Sequence, residues 1–435
     1  MTPITFSIQG RFSGVRKVKD YSHLQTEIDH CSKCGGCLVA CPIYGELGVE
    51  TMGSRGRVFL FRQYLAGNLE LSKKFAETMS LCLLCKNCTA TCPNGVATDQ
   101  LVLAARQELV GKYGLPLIKK TVFHHLLKSN GRLNLVAKLL TVYQRTGLRW
   151  LVRKSRLLKP FPSNLEAKEK LLPDIQAGRP FHQGVSPRIS VDNPQKRVAY
   201  FTGCMTNYIF QNTGKSVLKV LKENRVEVFI PEQLCCGVPA EASGDAETML
   251  HLAAENVKFF SRLEVDAIIT DCPSCGMALK EYGEKLGTEE AKAFSSKVKD
   301  ITQFLMQDIE LKIPINNLPV TVTYHDPCHA IRGLKIQKEP RELLKKIPDL
   351  TLKEMNGANQ CCGSAGSFNL SYYQLSMQIL DKKLKNITAT EAEVVATACP
   401  ACEMQIGHGV RKKHLTQKVM HPIELLSQAY SAGHE

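Results

Sequence analysis

Two stretches of the sequence, CSKCGGCLVACP at residues 31–42 and CLLCKNCTATCP at residues 82–93, repeat one pattern of cysteines. Both follow the spacing C-x2-C-x2-C-x3-C-P. Cysteines three apart in a tight turn direct their sulfurs toward one point, where several soft thiolates can bind the same metal centre. Pro42 and Pro93 fix φ directly after the fourth cysteine of each run and offer no competing N–H group. The pattern therefore predicts that residues 31–93 fold around metal ligands.

This spacing is typical of bacterial two-cluster ferredoxins, in which three cysteines of one run and the fourth of the other bind each cluster. The arrangement predicts two [4Fe-4S] clusters and ties two distant segments into one unit. The ligand sets are then Cys31, Cys34, Cys37 and Cys92 for cluster 1, and Cys82, Cys85, Cys88 and Cys41 for cluster 2. Structural zinc is the alternative, although zinc sites favour paired C-x2-C units.

Composition limits the class of protein. A chain of 435 residues has room for about two to four domains. No stretch approaches the roughly 18 apolar residues of a membrane span, and the first residues lack the apolar segment of a signal peptide. We therefore expect a cytoplasmic protein. Its 18 cysteines then indicate metal binding, because a reducing cytosol does not sustain a disulfide framework.

Positive charge is concentrated in one segment. The net charge is +15, and residues 109–165 hold twelve Lys or Arg and no Asp or Glu. Such a segment can bind nucleic acid, anionic lipid or an acidic partner. A helix beginning near Thr98, with Thr98 as its cap, is expected to end the first domain, and residues 115–158 show the pattern of two or three amphipathic helices. They either pack on a neighbouring domain or dock on a membrane or another protein.

The second half of the chain repeats itself. A first module carries a lone cysteine, a Cys-Cys-Gly and a C-x2-C, with 30 and 35 residues between these groups; a second module repeats them with 32 and 36. The predicted metal ligands are Cys204, Cys235, Cys236, Cys272 and Cys275 in the first module, and Cys328, Cys361, Cys362, Cys399 and Cys402 in the second. Five cysteines exceed the needs of a cubane cluster or zinc. A redox-active dithiol is the competing interpretation.

Strand-like runs alternate with helical patterns in both modules. RVAYFTGC (197–204) and VTVTYHDPC (320–328) each end at the first cysteine of a module. This alternation predicts parallel α/β sheets with the cysteines at the carboxyl ends of strands. Adjacent cysteines reach one site only if the chain turns there, which Gly237 and Gly363 permit. Three histidines near the second module, His325, His329 and His421, are not predicted as ligands, because packed or exposed histidines are commoner.

These motifs together resemble a known family. The doubled cysteine grid resembles the CCG domain found in heterodisulfide reductases, whose members bind non-cubane [4Fe-4S] clusters. The order of a ferredoxin pair followed by two CCG domains resembles the iron–sulfur subunit of glycolate oxidase and a related subunit of anaerobic glycerol-3-phosphate dehydrogenase. GSRGRVFLFRQYLAGN (53–68) is similar to the PRGR-type stretch of glycolate oxidase subunits, except that Ser54 stands where the family tends to have Pro. Arg55 and Arg57 in this stretch are candidates for lying beside a cluster.

The resemblance implies an architecture of several domains. We expect an N-terminal arm at 1–24, an α-helical ferredoxin-like two-cluster domain at 25–111, and a basic helical segment with a linker at 112–195. Two repeated α/β CCG domains with parallel sheets would follow at 196–313 and 319–435, each with a further non-cubane cluster. The overall class is α+β and α/β, in a multidomain chain.

The resemblance also implies a function. Electrons would pass from a flavin-binding dehydrogenase subunit that oxidises glycolate or D-lactate, through this chain, to a quinone or another carrier. The sequence has no G-x-G-x-x-G after a strand and no P-loop, so it shows no nucleotide site of its own. Alternatives are a disulfide reductase, and a quinone-linked protein like the related chain of glycerol-3-phosphate dehydrogenase. A nucleic-acid-binding protein would rest only on the basic segment, whose aromatic residues are few; we expect peripheral membrane contact through residues 112–160 and no nucleic acid.

Overall fold

A computed structural model describes residues 21–155, 169, 171 and 179–430. Most of the arm predicted at 1–24 lies outside these residues, as does most of the linker between residues 156 and 178. Across the described ranges, no helix combines the length and the apolar character needed to cross a membrane.

The N-terminal domain is built from short helices around the two cysteine runs. Lys33, Leu84 and Lys86 adopt positive φ angles of 59°, 51° and 58° within those runs, so the loops turn tightly between ligands. Its helices are α1 (Ser22–Asp29), α2 (Gly36–Val39), α3 (Pro42–Leu47), α4 (Ser54–Leu65), α5 (Lys73–Ser80), α6 (Asn87–Thr91) and α7 (Thr98–Tyr113). Phe61 and Met79 are fully buried in its core.

The basic segment forms three further helices among the described residues, with a π-helical turn at Val122–Leu126. They are α8 (Leu117–Thr121), α9 (Asn130–Arg145) and α10 (Leu148–Lys154). Phe123 and Leu127 pack into the core of the first module, whereas Leu135, Leu139 and Trp150 are exposed. The segment therefore packs on its neighbour with one face and leaves apolar side chains on the other.

The first module is an α/β unit. Among the described residues its sheet has five strands in the order β1-β3-β2-β4-β5, all parallel except the two-residue edge strand β1. Its elements are β1 (Arg188–Ile189), β2 (Lys196–Tyr200), α11 (Gly203–Tyr208), α12 (Gln211–Glu223), β3 (Val226–Phe229), α13 (Val238–Glu241), α14 (Ala246–Phe260), β4 (Ala267–Thr270), α15 (Pro273–Leu286), α16 (Glu289–Ser296), β5 (Val298–Asp300) and α17 (Ile301–Gln307).

The second module repeats this plan. The strands described for it form a fully parallel four-stranded sheet in the order β7-β6-β8-β9. Its elements are β6 (Val320–Tyr324), a π-helical turn (His329–Leu334), α18 (Glu339–Lys345), β7 (Leu350–Leu352), α19 (Phe368–Ser371), α20 (Tyr373–Thr388), β8 (Val394–Ala396), α21 (Pro400–Lys412), β9 (Lys418–Met420) and α22 (Pro422–Ala429).

The two modules share one apolar core. Val198 and Ile269 from the first sheet, and Val322 and Ile423 from the second module, belong to the same buried cluster. Thr213 in α12 also donates a hydrogen bond of 2.6 Å to Glu424 in α22. The fold class predicted from the sequence is confirmed: a helical ferredoxin-like domain precedes two α/β modules with largely parallel sheets. The antiparallel edge strand β1 is the one departure seen in the described residues.

Candidate metal centres

The first sulfur set predicted from the sequence comes together at the start of α2. Burial raises the pKa of the Cys37 thiol, and the nearby charges of Cys31, Cys92 and Cys34 raise it further. These four sulfurs therefore lie close enough to act on one another. The hydroxyl of Ser54, the first residue of α4, donates a 2.7 Å hydrogen bond to the carbonyl of Cys37 and holds this loop in place.

The second sulfur set is also gathered in one place. Burial raises the pKa of Cys88, and the charges of Cys82, Cys85 and Cys41 add to that effect. Cys41 comes from the first run and therefore lies with the second set. The hydroxyl of Thr98 hydrogen-bonds to Cys88. The prediction that Thr98 caps α7 is wrong: Ala97 precedes the helix, and no side-chain cap is present there.

Arg57 lies against this second set. Its side chain is 2% exposed; Nη1 is 4.0 Å from the sulfur of Cys41, and Nε donates to the carbonyl of Thr78 at 3.0 Å. Its buried Nη2 has no hydrogen-bond partner among the described residues. Arg55, by contrast, bonds to Glu50 and to the carbonyl of Lys33 near the surface.

Five sulfurs of the first module form a connected group. The thiols of Cys235 and Cys275 hydrogen-bond to Cys236 and lower its pKa well below the ordinary value. Cys204 interacts with Cys235, and Cys272 interacts with Cys275. The group extends from the C-terminal end of β2 to the start of α15. The chain turns at Gly237, whose φ of 87° lies in the left-handed region, as the sequence predicted.

The second module gathers its sulfurs in the same way. The sulfurs of Cys362 and Cys402 are 3.5 Å apart. Cys361 interacts with Cys362, and the charges of Cys362 and Cys399 act on Cys328. Gly363 makes the matching turn, with a φ of 84°.

Three of the sulfur groups adjoin one another. Burial raises the pKa of Cys85 to about 12, and the charge of Cys328 is the next contribution. Arg332, just after Cys328, donates to the carbonyl of Cys85 at 3.1 Å. At the other side of the second module, Cys399 interacts with Cys272 of the first module. The sulfurs of the second module therefore have neighbours in both the group of Cys85 and the first module, although this module comes last in the sequence.

Sequence reasoning named His325 but did not predict a role for it, and it did not name Lys383, yet both lie at the sulfurs of the second module. His325 is 1% exposed, and one of its ring nitrogens lies with the sulfurs of Cys362 and Cys402 inside a group no wider than 4.8 Å. Lys383 is also 1% exposed, and burial lowers the pKa of its ammonium to about 8. The strand pattern placed His325 next to the module's cysteine, but spacing could not show that the imidazole points at the sulfurs.

The residues at these sites fit iron–sulfur clusters. Thiols held this close repel one another when ionised, and a cationic metal centre relieves that repulsion. The N–H group of Arg57 that has no partner among the described residues suits a sulfur acceptor on a cluster, and the imidazole of His325 already lies against the sulfur of Cys362. Among the described residues, the one group of three or more His, Cys, Asp or Glu ligand atoms within 4.8 Å of one another is that of His325, Cys362 and Cys402.

Three family models match the chain. The 4Fe-4S dicluster domain matches residues 27–96, the linker region of the glycolate oxidase iron-sulfur subunit matches 114–172, and the cysteine-rich domain matches 198–280 and 322–407. The "Probable glycolate oxidase iron-sulfur subunit" of Bacillus subtilis (strain 168) is 37% identical over 423 residues, which cover 94% of this chain and 95% of the relative. The chain belongs to the family of glycolate oxidase iron–sulfur subunits.

Other relatives match most of the chain or about half of it. A fumarate reductase (CoM/CoB) subunit of Methanothermobacter marburgensis is 28% identical, with 98% of this chain and 77% of the relative covered. "Lactate utilization protein A" of Exiguobacterium sp. is 31% identical over 53% of this chain and 97% of the relative. The resemblance to the glycolate oxidase iron–sulfur subunit family, stated from the cysteine pattern, is confirmed.

Proposed function

We propose that this chain is the electron-transfer subunit of a flavin-dependent dehydrogenase complex acting on a 2-hydroxy acid such as glycolate or D-lactate. Substrate oxidation would occur on a partner chain that binds the flavin, and a quinone or another carrier would accept the electrons. The names of the relatives support the choice of substrate class. The lack of a dinucleotide motif in this sequence is consistent with a flavin on another chain.

The proposed ligands are the eighteen cysteines, in four sets. Bound iron–sulfur clusters supply one-electron chemistry, and the protein positions them. The sets are Cys31, Cys34, Cys37 and Cys92 for one cubane cluster; Cys82, Cys85, Cys88 and Cys41 for a second; Cys204, Cys235, Cys236, Cys272 and Cys275 for a non-cubane cluster of the first module; and Cys328, Cys361, Cys362, Cys399 and Cys402 for one of the second.

One observation carries this proposal: three of the sulfur groups adjoin one another. Cys85 acts on Cys328, Arg332 beside Cys328 donates to the carbonyl of Cys85 at 3.1 Å, and Cys272 interacts with Cys399. An electron relay needs centres that adjoin in this way, whereas isolated structural metal sites do not. The sulfurs of the second module therefore have neighbours in the group of Cys85 and in the first module.

Anaerobic purification with iron analysis tests the proposal. Two cubane clusters require about eight iron atoms per chain and four clusters about 16. Cys85→Ala, at the junction with the second module, should lower iron content and stop electron transfer from a hydroxy-acid dehydrogenase subunit to a dye. Ile347→Val, at a buried position in the apolar core that the two modules share, is the control. Fewer than about eight iron atoms in the unaltered protein would end the proposal.

A disulfide reductase is the second candidate, and the junction between the modules favours it. Ser274 and His329 hydrogen-bond at 2.9 Å there, beside Cys399, so polar groups adjoin both sulfur sets. The family relation to a fumarate reductase (CoM/CoB) subunit is consistent with sulfur chemistry. Turnover of a disulfide by the isolated chain with an artificial electron donor would favour this candidate; its absence, beside dye reduction with a hydroxy-acid dehydrogenase, would favour the first.

The basic helices are proposed as the contact with a membrane surface. Leu117 and Ile118 are 79% and 80% exposed in α8, which also carries Lys119 and Lys120; Lys119 donates to Ser243 of the first module at 3.3 Å, and Lys120 is exposed. Apolar side chains flanked by lysines suit an anionic lipid interface. Binding to anionic liposomes that weakens with salt would support this contact; binding that is absent, or that ignores salt, would exclude an electrostatic attachment.

A further inference from the structure

The two modules can be compared position by position. Phe201 and His325 each directly follow the first long strand of a module, which ends at Tyr200 or Tyr324. Asn256 and Lys383 are each the eleventh residue of the matching helices α14 and α20. Asp271 and Ala398 each directly precede the first cysteine of the C-x2-C pair. At these three positions the polar character of the modules differs.

The first difference places an N–H donor at the second module only. One ring nitrogen of His325 and the sulfurs of Cys362 and Cys402 lie within 4.8 Å of one another. Phe201 takes the same place in the first module, where it packs against Phe260 with ring centroids 5.8 Å apart. An imidazole can donate a hydrogen bond to a sulfur, whereas a phenyl ring cannot.

The second difference places a cation at the second module only. The ammonium of Lys383 donates to the carbonyls of Gly357 at 2.7 Å and Ala358 at 3.1 Å, and it interacts electrostatically with Cys362, Cys361 and Cys402. Asn256 supports the corresponding loop of the first module without a charge, since its amide donates to the carbonyl of Cys235 at 3.2 Å.

The third difference places a carboxyl group at the first module only. Asp271 is fully buried, accepts a 2.5 Å hydrogen bond from Thr206 and directly precedes Cys272. The hydroxyl of Tyr200 also hydrogen-bonds to this carboxyl group. Ala398 supplies no charge at the matching point of the second module.

Other charged groups nearby do not reverse this pattern. Asp326 of the second module is paired with Arg341 through two contacts of 2.7 and 3.0 Å, so the pair adds little net charge. Glu403 lies beside both Asp271 and Cys399, at the junction, and so acts on both sulfur groups.

We infer that the cluster of the second module has a higher reduction potential than the cluster of the first. An electron that enters either module is therefore found mainly on the second module's cluster, near His325 and Lys383. Hydrogen bonds to the sulfurs and positive charge stabilise a reduced centre, and a nearby carboxylate opposes reduction. The inference rests on the proposed cluster occupancy of both modules. It makes the second module, whose sulfurs adjoin Cys85 and those of the first module, the point at which electrons accumulate.

Redox titration of the anaerobically purified full-length protein, followed by low-temperature electron paramagnetic resonance, tests the inference. Cys204→Ala and Cys328→Ala assign the signals to the modules. His325→Phe and Lys383→Asn, which copy the first module, should each lower the reduced-to-oxidised ratio of the second module at least tenfold at a fixed potential, a shift of about 59 mV for a one-electron couple. Asp271→Ala should raise the ratio for the first module.

Conservative variants separate electrostatics from folding. His325→Gln keeps an N–H donor and Lys383→Arg keeps the charge. In both variants the reduction potential of the second module should therefore stay closer to that of the unaltered protein than in His325→Phe or Lys383→Asn. Lys382→Asn removes the neighbouring lysine, which is exposed and paired with Glu46, and should change nothing. Equal or inverted potentials of the two modules, or His325→Phe and Lys383→Asn variants without a shift, would overturn the inference alone. Loss of all iron signals from the unaltered protein would overturn the proposed function and this inference with it.

Discussion

The hydroxyl oxygen of Ser274, in the first module, lies 3.8 Å from the sulfur of Cys399, in the second. Ser274 also meets Nδ1 of His329 at 2.9 Å. These contacts join the two cysteine groups across the module boundary at the N-termini of α15 and α21. Because the modules share one apolar core, this junction is held by packing on both sheets. The sulfur groups therefore form one assembly, and changes in one module are expected to be felt in the other.

Replacing Arg57 should weaken the N-terminal domain. Arg57→Gln removes the buried guanidinium beside Cys41 and its bond to Thr78. Loss of a charged hydrogen bond should lower the free energy of unfolding by about 1.5–3 kcal/mol. The iron content should fall as well. Anaerobic urea unfolding and iron analysis measure both. Arg55→Gln is the matched control: its partner Glu50 is 53% exposed, so the expected loss is below about 1 kcal/mol. Equal losses for the two variants would contradict the role given to Arg57.

The turn at Gly363 should tolerate no side chain. A Cβ added there would lie 2.7 Å from the carbonyl of Ser376, in a backbone with a φ of 84°. Gly363→Ala should therefore cost more than the roughly 1–2 kcal/mol of the left-handed conformation alone. Gly366→Ala provides the comparison, since its φ of 60° is similar and no atom lies within 4 Å of the added carbon. Thermal unfolding of both variants measures their loss of stability. An equal loss in the two variants would mean that the close approach of Ser376 to Gly363 does not add to the cost of the side chain.

The guanidinium of Arg106 connects the N-terminal domain to the first module. It donates to the carbonyls of Met79, Ser80 and Cys82 and, at 2.6 Å, to that of Ala242. Arg106→Ala should cost about 3 kcal/mol or more, because these buried acceptors lose a charged donor. Arg106→Lys keeps the charge but loses the planar guanidinium group. Its stability should therefore lie between those of the unaltered protein and Arg106→Ala. Urea unfolding and limited proteolysis measure the loss. The exposed Arg62→Gln serves as control, and an Arg106→Ala variant as stable as Arg62→Gln would remove this role.

Stability should depend on pH through Asp300, which caps α17 by accepting from Thr302. Burial raises the pKa of Asp300 to about 6, above the roughly 3.9 of an unfolded chain. Between these values the folded state binds more protons, so this group makes stability fall as pH rises from about 4 to 6. The free energy of unfolding of Asp300→Asn should therefore exceed that of the unaltered protein by on the order of 1–3 kcal/mol at pH 7.

That gain should shrink when unfolding is measured at pH 5, because the unaltered Asp300 is then largely protonated in the folded state. Asp192→Asn, at an exposed loop position, should show no such difference between the two pH values. A gain for Asp300→Asn that is the same at pH 5 and pH 7 would show that the buried charge is not its source.

Part of this architecture follows from local chemistry. Strand-forming runs that end at a cysteine, followed by helical periodicity, predicted two α/β modules, and β2, β4, β6 and β8 lie there. Gly237 and Gly363 were predicted to turn the chain, and both have positive φ angles. Thr98 shows the limit of such reasoning. Its hydroxyl could cap a helix, but the fold brings Cys88 near enough to take the hydrogen bond instead.

The sequence by itself determined the fold class, the family and the repetition of the two modules, because cysteine spacing and strand-helix alternation are properties of short segments. Only the tertiary structure decided that the second module's sulfurs adjoin both Cys85 and the first module's sulfurs, and that His325 and Lys383 face those of the second module. Such neighbours depend on how distant apolar surfaces pack, and side chains far apart in the chain then share one low-dielectric interior.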